Sequence, residues 1–158
     1  MAGPKVQKIK KIISGGQTGV DRAALDFALE NKIPCGGWCP RGKLAEDGEI
    51  AKIYPLKETR SSRYEKRTKK NVESADGTLI IINEQPLSDG TSLTMKICEK
   101  LQKPFLIIDS SRAGPDKKAF WDWVASNNIS VLNVAGPRES SAKGIYGQSK
   151  TLLSMLWY

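Results

Sequence analysis

IISGGQTGVDRAALDFALE, residues 12–30, decides the fold. It opens as a short apolar strand and breaks at the paired glycines Gly15 and Gly16. It meets a third glycine at Gly19, then carries Ala23, Ala24, Phe27 and Ala28 on one helical face. A strand running into a helix through glycines is the opening unit of an α/β domain. Such glycines permit positive φ and leave no Cβ between the backbone and whatever approaches it. The unpaired N–H groups and the dipole of the following helix favour an anion there, phosphate above all. The stretch therefore reads either as a tight turn or as an anion cradle made by Gly15, Gly16, Gln17, Thr18 and Gly19. In the cradle Gln17 supplies its amide, and Thr18 supplies a hydroxyl or caps the helix. Arg22 lies in the first helical turn, where the dipole disfavours a cation by about 0.3–1 kcal/mol. It reads as a partner for a surface acid or for a bound phosphate. The spacing fits neither standard phosphate motif. A Gly-x-Gly-x-x-Gly fingerprint needs glycine at Ser14, and a Walker A loop needs Lys where Val20 follows Gly19.

Outward from this unit, apolar strands and helical patterns keep alternating. Strands are expected at Lys11–Ser14, Cys35–Trp38, Thr78–Ile82, Phe105–Ile108 and Ser130–Val134. Helices are expected at Val20–Asn31, Arg63–Ser74, Thr91–Leu101, Lys117–Ser126 and Ile145–Leu156, with Pro40 to Thr59 read as a long loop. The pattern implies one α/β domain over residues 1–158. Its core would be a Rossmann-like, doubly wound, mainly parallel sheet of about five strands flanked by helices, with residues 1–10 a flexible basic arm. In such sheets ligands sit beyond the carboxyl ends of the strands, so the loops after the first, third and fifth strands should line one crevice. The third-strand loop offers Asp89, Gly90, Thr91 and Ser92, where Thr91 and Ser92 bring hydroxyls and helix-cap chemistry. The fifth-strand loop offers Arg138 and Ser140. Arg41, Tyr64 and Arg67 are further candidates; Arg67 and Asn71 share a helix face.

With 25 Lys and Arg against 17 Asp and Glu, the net charge is +8. Most of that excess reads as solvated surface, and an anionic partner, whether nucleotide, nucleic acid or membrane, stays open. No apolar run is long enough to span a bilayer and no signal-peptide pattern begins the chain, so a cytoplasmic protein is expected. The three cysteines imply no disulfide framework. Histidine is absent, so acid–base work would fall to other groups, and no structural metal is expected.

Five segments taken together, GGQTGVDRAALDFA, CPRGKLAEDGEI, RTKKNVESADGTLIII, LSDGTSLT and NVAGPRESSAKGIY, resemble the family named putative molybdenum carrier. The resemblance spans about Lys11 to Tyr146. That family is similar to algal molybdenum-cofactor carriers. It sits in a Rossmann-like superfamily with the lysine-decarboxylase-like phosphoribohydrolases, whose members bind nucleotides or similar phosphates. The resemblance implies a carrier for a phosphate-bearing nucleotide or pterin, molybdenum cofactor (molybdopterin) included. It also implies a homodimer or larger assembly. The phosphoribohydrolases carry a catalytic glutamate in Pro-Gly-Gly-x-Gly-Thr-x-x-Glu; aligned on Gly90 and Thr91, this chain has Thr94 there. The resemblance thus leans away from catalysis, although an acid could come from elsewhere, such as Glu84 or Asp89. An N-glycosidic hydrolase and a nucleic-acid-binding module remain the alternatives.

Overall fold

The structure, a computed structural model, describes residues 9–83, 87–112 and 114–158. Most of the expected basic arm at 1–10 lies outside the described residues, and so does Glu84. The chain runs β1 (Lys11–Ile13), α1 (Val20–Glu30), β2 (Cys35–Gly36), β3 (Trp38–Cys39), β4 (Leu44–Ala45), β5 (Gly48–Glu49) and β6 (Lys57–Glu58). It continues with α2 (Tyr64–Ser74), β7 (Gly77–Ile82), α3 (Asp89–Lys100), β8 (Phe105–Asp109), α4 (Lys117–Ser126), β9 (Val131–Ala135) and α5 (Ile145–Trp157).

Among the described residues, five strands build one all-parallel sheet in the order β2-β1-β9-β7-β8. If β9 came first in the chain, this order would read 3-2-1-4-5, the start of a standard dinucleotide-binding sheet. The last strand therefore occupies the place of a first strand. The strand order reverses between β9 and β7, so their carboxyl ends frame the switch point.

The sequence makes this arrangement by burying strands on both faces, as parallel sheets require. All six residues of β7 are buried. Its Leu79 and Ile81 join Ile12, Leu132 and Val134 in one core with α1, α4 and α5. The alternation of a strand turns Thr78 and Ile80 to the other face, where α2 packs against α3. Phe27, Phe120, Trp121 and Trp157 interlock edge-to-face or tilted, with ring centroids 5.0–5.7 Å apart. Trp121 also donates its indole N–H to the Leu156 carbonyl. Strand β8 closes one edge and is only half-buried throughout. Among the described residues no helix is long and apolar enough to cross a membrane.

Two expectations change. The strand foreseen at Cys35–Trp38 breaks at Gly37: β2 stays in the main sheet, while β3 leaves it to pair with β6. The segment from Pro40 to Thr59 is a folded excursion, with a β4–β5 hairpin, and its Ala45, Ile50 and Leu56 share an apolar cluster with Leu25 of α1 and Cys39 of β3. Two-residue strands carry too little alternation to be seen in a sequence.

Leu153 in α5 is fully buried in the main core. Leu153→Ala is expected to lower stability by about 2–5 kcal/mol, read as a shifted urea midpoint with an unchanged slope.

Candidate functional site

A crevice of about 1000 Å³ opens at the carboxyl ends of β1, β9 and β7. The loops after all three strands line it, as does one face of α2. Its floor holds Asp21 and Arg67, whose carboxylate oxygen and guanidinium nitrogen are 3.0 Å apart with only about a tenth of each side chain exposed. Asp21 also accepts the Gln17 backbone N–H. Burial pushes the Asp21 carboxyl above its ordinary 3.8, while Arg67 and the Gln17 amide pull it back. Arg67 alone among the cations of α2 faces the crevice; Lys69 pairs with Glu73 and Lys70 lies over the Trp38 ring. Asn71, one turn on, holds the Trp38 backbone through both its N–H and its carbonyl.

The glycine turn after β1 is shaped by protein neighbours. A Cβ on Gly15 would lie 2.0 Å from an Arg67 guanidinium nitrogen. Gly16 and Gly19 have φ of 80° and 77°, which other residues adopt only with strain. A Cβ on Gly19 would collide with the Pro137 carbonyl, 2.4 Å away. The amides of Gln17 and Thr18 already have acceptors, in Asp21 and in the Gln17 side-chain oxygen. Gly15 and Gln17 line the crevice, whereas Gly16, Thr18 and Gly19 face other parts of the protein.

The hairpin tip supplies the anions that this turn would otherwise lack. Glu46 accepts hydrogen bonds from the Thr18 hydroxyl and from both the hydroxyl and the backbone N–H of Ser140. Arg138 stands 3.9 Å away. Those donors hold the Glu46 carboxyl below its usual range. Asp47 meets Arg22 at 3.0 Å, and Arg22 also donates to the Gly16 carbonyl. Arg22 is thus a clamp on the far side of the turn, not a crevice cation. Nor does Thr18 cap α1, whose N-cap is Gly19 without a side-chain bond. Asp26 adds a further tie, accepting from Tyr54 of the excursion at 2.6 Å and from Tyr146 of α5 at 2.5 Å. Burial and this carboxylate push the Tyr54 phenol up to about 12 and raise Tyr146 as well.

The opposite wall is the N-terminus of α3. The helix starts at Asp89, so its N-cap is Ser88 rather than Thr91 or Ser92. Ser88 accepts the Thr91 backbone N–H and donates its hydroxyl hydrogen to Thr91. Asp89, Gly90 and Thr91 line the crevice; Ser92 does not. Gly90 differs from the glycines after β1. Its φ is not positive, and an added Cβ would meet nothing within 4 Å. Thr94 lines the same wall and donates its hydroxyl to the Gly90 carbonyl.

From the β9 loop, Arg138 reaches the crevice and Ser140 does not. Arg41 is exposed and lies away from it. The structure adds residues that the sequence reading passed over: Asn133, Lys143 and Gln148. Asn133 left a trace, since it is the polar residue in the apolar run VLNVA, and its side-chain amide meets the Thr78 hydroxyl. Lys143 and Gln148 left none.

The sequence model of the family described as "circularly permutated YpsA SLOG" matches residues 12–157. A crystal structure named as a putative molybdenum carrier protein from Syntrophus aciditrophicus SB is 47% identical. The match covers 95% of this chain and 96% of that one, with a TM-score of 0.91. No curated protein matches the chain.

Arg67→Met would leave Asp21 buried without its cation. The carboxyl then rises further, so the acid is tolerated while protonated and penalised as pH climbs through its raised value. The variant is expected to lose about 3–5 kcal/mol at about pH 8 and clearly less at about pH 5. Adding Asp21→Asn should flatten that dependence in urea unfolding at the two pH values.

Proposed function

The chain belongs to the circularly permutated YpsA SLOG family, and on that premise we propose that it binds a phosphate-bearing nucleotide or pterin in the crevice between β9 and β7. The reading rests on Gly90. Glycine costs about 0.5–1 kcal/mol relative to alanine in a helix interior, and the same loss of backbone freedom counts against it wherever helical φ and ψ are fixed. Here neither φ nor packing calls for it, and the open space beside it belongs to the crevice. A ligand held against the backbone at that point gives the glycine a purpose.

The chemistry around Gly90 suits phosphate. The Thr91 amide is held by the Ser88 cap, but those of Asp89 and Gly90, the first two of α3, have no intrahelical acceptor, and the helix dipole adds its positive end. Thr91 brings a hydroxyl, while Arg138 and Lys143 supply positive charge from across the crevice. Gly15 and Gln17 form the remaining wall, next to the Asp21–Arg67 pair. The volume of about 1000 Å³ admits a nucleotide or a pterin with its phosphate tail.

The similar crystal structure is named a putative molybdenum carrier, and molybdenum cofactor belongs to this ligand class. Among the described residues no three His, Cys, Asp or Glu gather to hold a metal ion. A molybdenum-bearing ligand would therefore be held through its phosphate and ring. Binding without bond cleavage is the preferred reading, because Thr94 stands where the related hydrolases place a glutamate and its hydroxyl is taken by Gly90. The reading includes a cytoplasmic location. It also includes a homodimer or larger assembly, for which the half-buried edge strand Phe105–Asp109 offers an apolar surface.

Native mass spectrometry of the purified protein is expected to show a co-purified nucleotide or pterin. Gly90→Leu should keep or raise the melting temperature, yet weaken AMP and molybdenum cofactor by tenfold or more in calorimetry. Unchanged binding by that variant would overturn the assignment. Release of free base from nucleoside monophosphates would favour the hydrolase instead.

A further inference from the structure

Tyr64 is the first residue of α2, and it is 46% exposed. Among the described residues, the other exposed large apolar side chains are Leu29, Leu44, Ile53, Met155 and Tyr158, and none of these lines the crevice. Tyr64 does. An aromatic ring left half in water at the mouth of a ligand crevice contributes little to the core. Its carbonyl accepts from Thr68 and Arg67, but among the described residues its phenol has no hydrogen-bond partner.

The ring is nevertheless held in place. Arg67, one turn further along α2, sets its guanidinium carbon 5.5 Å from the Tyr64 ring centroid. Arg67 is itself fixed by Asp21 and packs over Gly15. A buried ion pair thus orients an exposed ring, which is the arrangement a stacking surface needs.

We propose that Tyr64 is the platform on which the flat heteroaromatic ring of the ligand stacks, and that it makes the crevice select ring-bearing phosphates over sugar phosphates. The proposal rests on the phosphate-binding reading above and adds the class of compound. The phosphate would lie toward Gly90 and Arg138, with the ring outward at the mouth. Stacking depends on a π-face rather than on one pattern of donors, so purines and pterins should both be accepted.

The test compares AMP, neopterin monophosphate and ribose 5-phosphate by calorimetry on the full chain. Tyr64→Ala is expected to weaken the two ring-bearing probes about tenfold to a hundredfold. Ribose 5-phosphate should bind the variant as it binds the native protein. Tyr64→Phe should behave as native, since the phenol is not the contact. Circular dichroism should confirm that both variants stay folded. If Tyr64→Ala weakens all three probes alike, or none, the platform is refuted while the phosphate reading stands. If ribose 5-phosphate binds the native protein as tightly as AMP, no ring subsite exists. If the native protein binds none of the three, the phosphate reading falls and takes the platform with it.

Discussion

The buried pair of Asp21 and Arg67 sets the geometry of the whole site. Two charges withdrawn from water cost several kcal/mol each unless they meet, so the fold must bring them together. They lie 46 positions apart in sequence, on the first turn of α1 and one turn into α2. Their contact fixes how α2 sits across the strand ends. It also dictates residue 15: the arginine stem crosses the space that a Cβ there would fill. Gln17 then turns its backbone N–H toward the same carboxylate. The first glycine of the turn thus serves a protein cation.

A similar substitution occurs on the other side of the turn. Thr18, Ser140 and Arg138 surround the Glu46 carboxylate, and Arg22 holds Asp47. Hydroxyls, amides and guanidinium groups bind a carboxylate with the same donors that bind phosphate. A sequence that predicts an anion at this turn therefore has the physics right. The anion is supplied by a hairpin within a segment that resembles a loop. Nothing in the spacing of residues 14–22 distinguishes an internal carboxylate from an external phosphate.

That distinction marks how far the sequence could be read. Strands β7, β8 and β9 and, among the described residues, the five helices are legible, because apolar runs and helical periodicity are local properties, whereas the two-residue β2 is legible only as part of a longer apolar stretch. The crevice walls from Asp89 to Thr91 and at Arg138 were legible for a topological reason: parallel sheets put ligand loops at strand ends. What escaped notice depended on contacts distant in sequence. The orientation of Arg67 is set by Asp21, and Arg22 is turned outward by Asp47. The α3 cap is Ser88 rather than Thr91 because either hydroxyl satisfies the same local rule, and Ser88 accepts the Thr91 backbone N–H.

The strand order explains why the glycine-rich turn resembles the phosphate loop of a dinucleotide-binding sheet. In an unpermuted sheet the first βα loop abuts the switch point, and there glycines let the backbone approach phosphate. In this chain the strand in that position comes last, so the equivalent loop is the one that follows β9, beginning at Gly136. Gly136 shows the same constraint of space, since a Cβ there would lie 2.3 Å from the Ile81 carbonyl. Moving a strand from one end of the chain to the other changes which loop is read first. It leaves unchanged which strands are neighbours, where the order reverses and which helix dipole points into the gap. The crevice therefore belongs to the sheet, and the chain's opening turn serves to brace one of its walls.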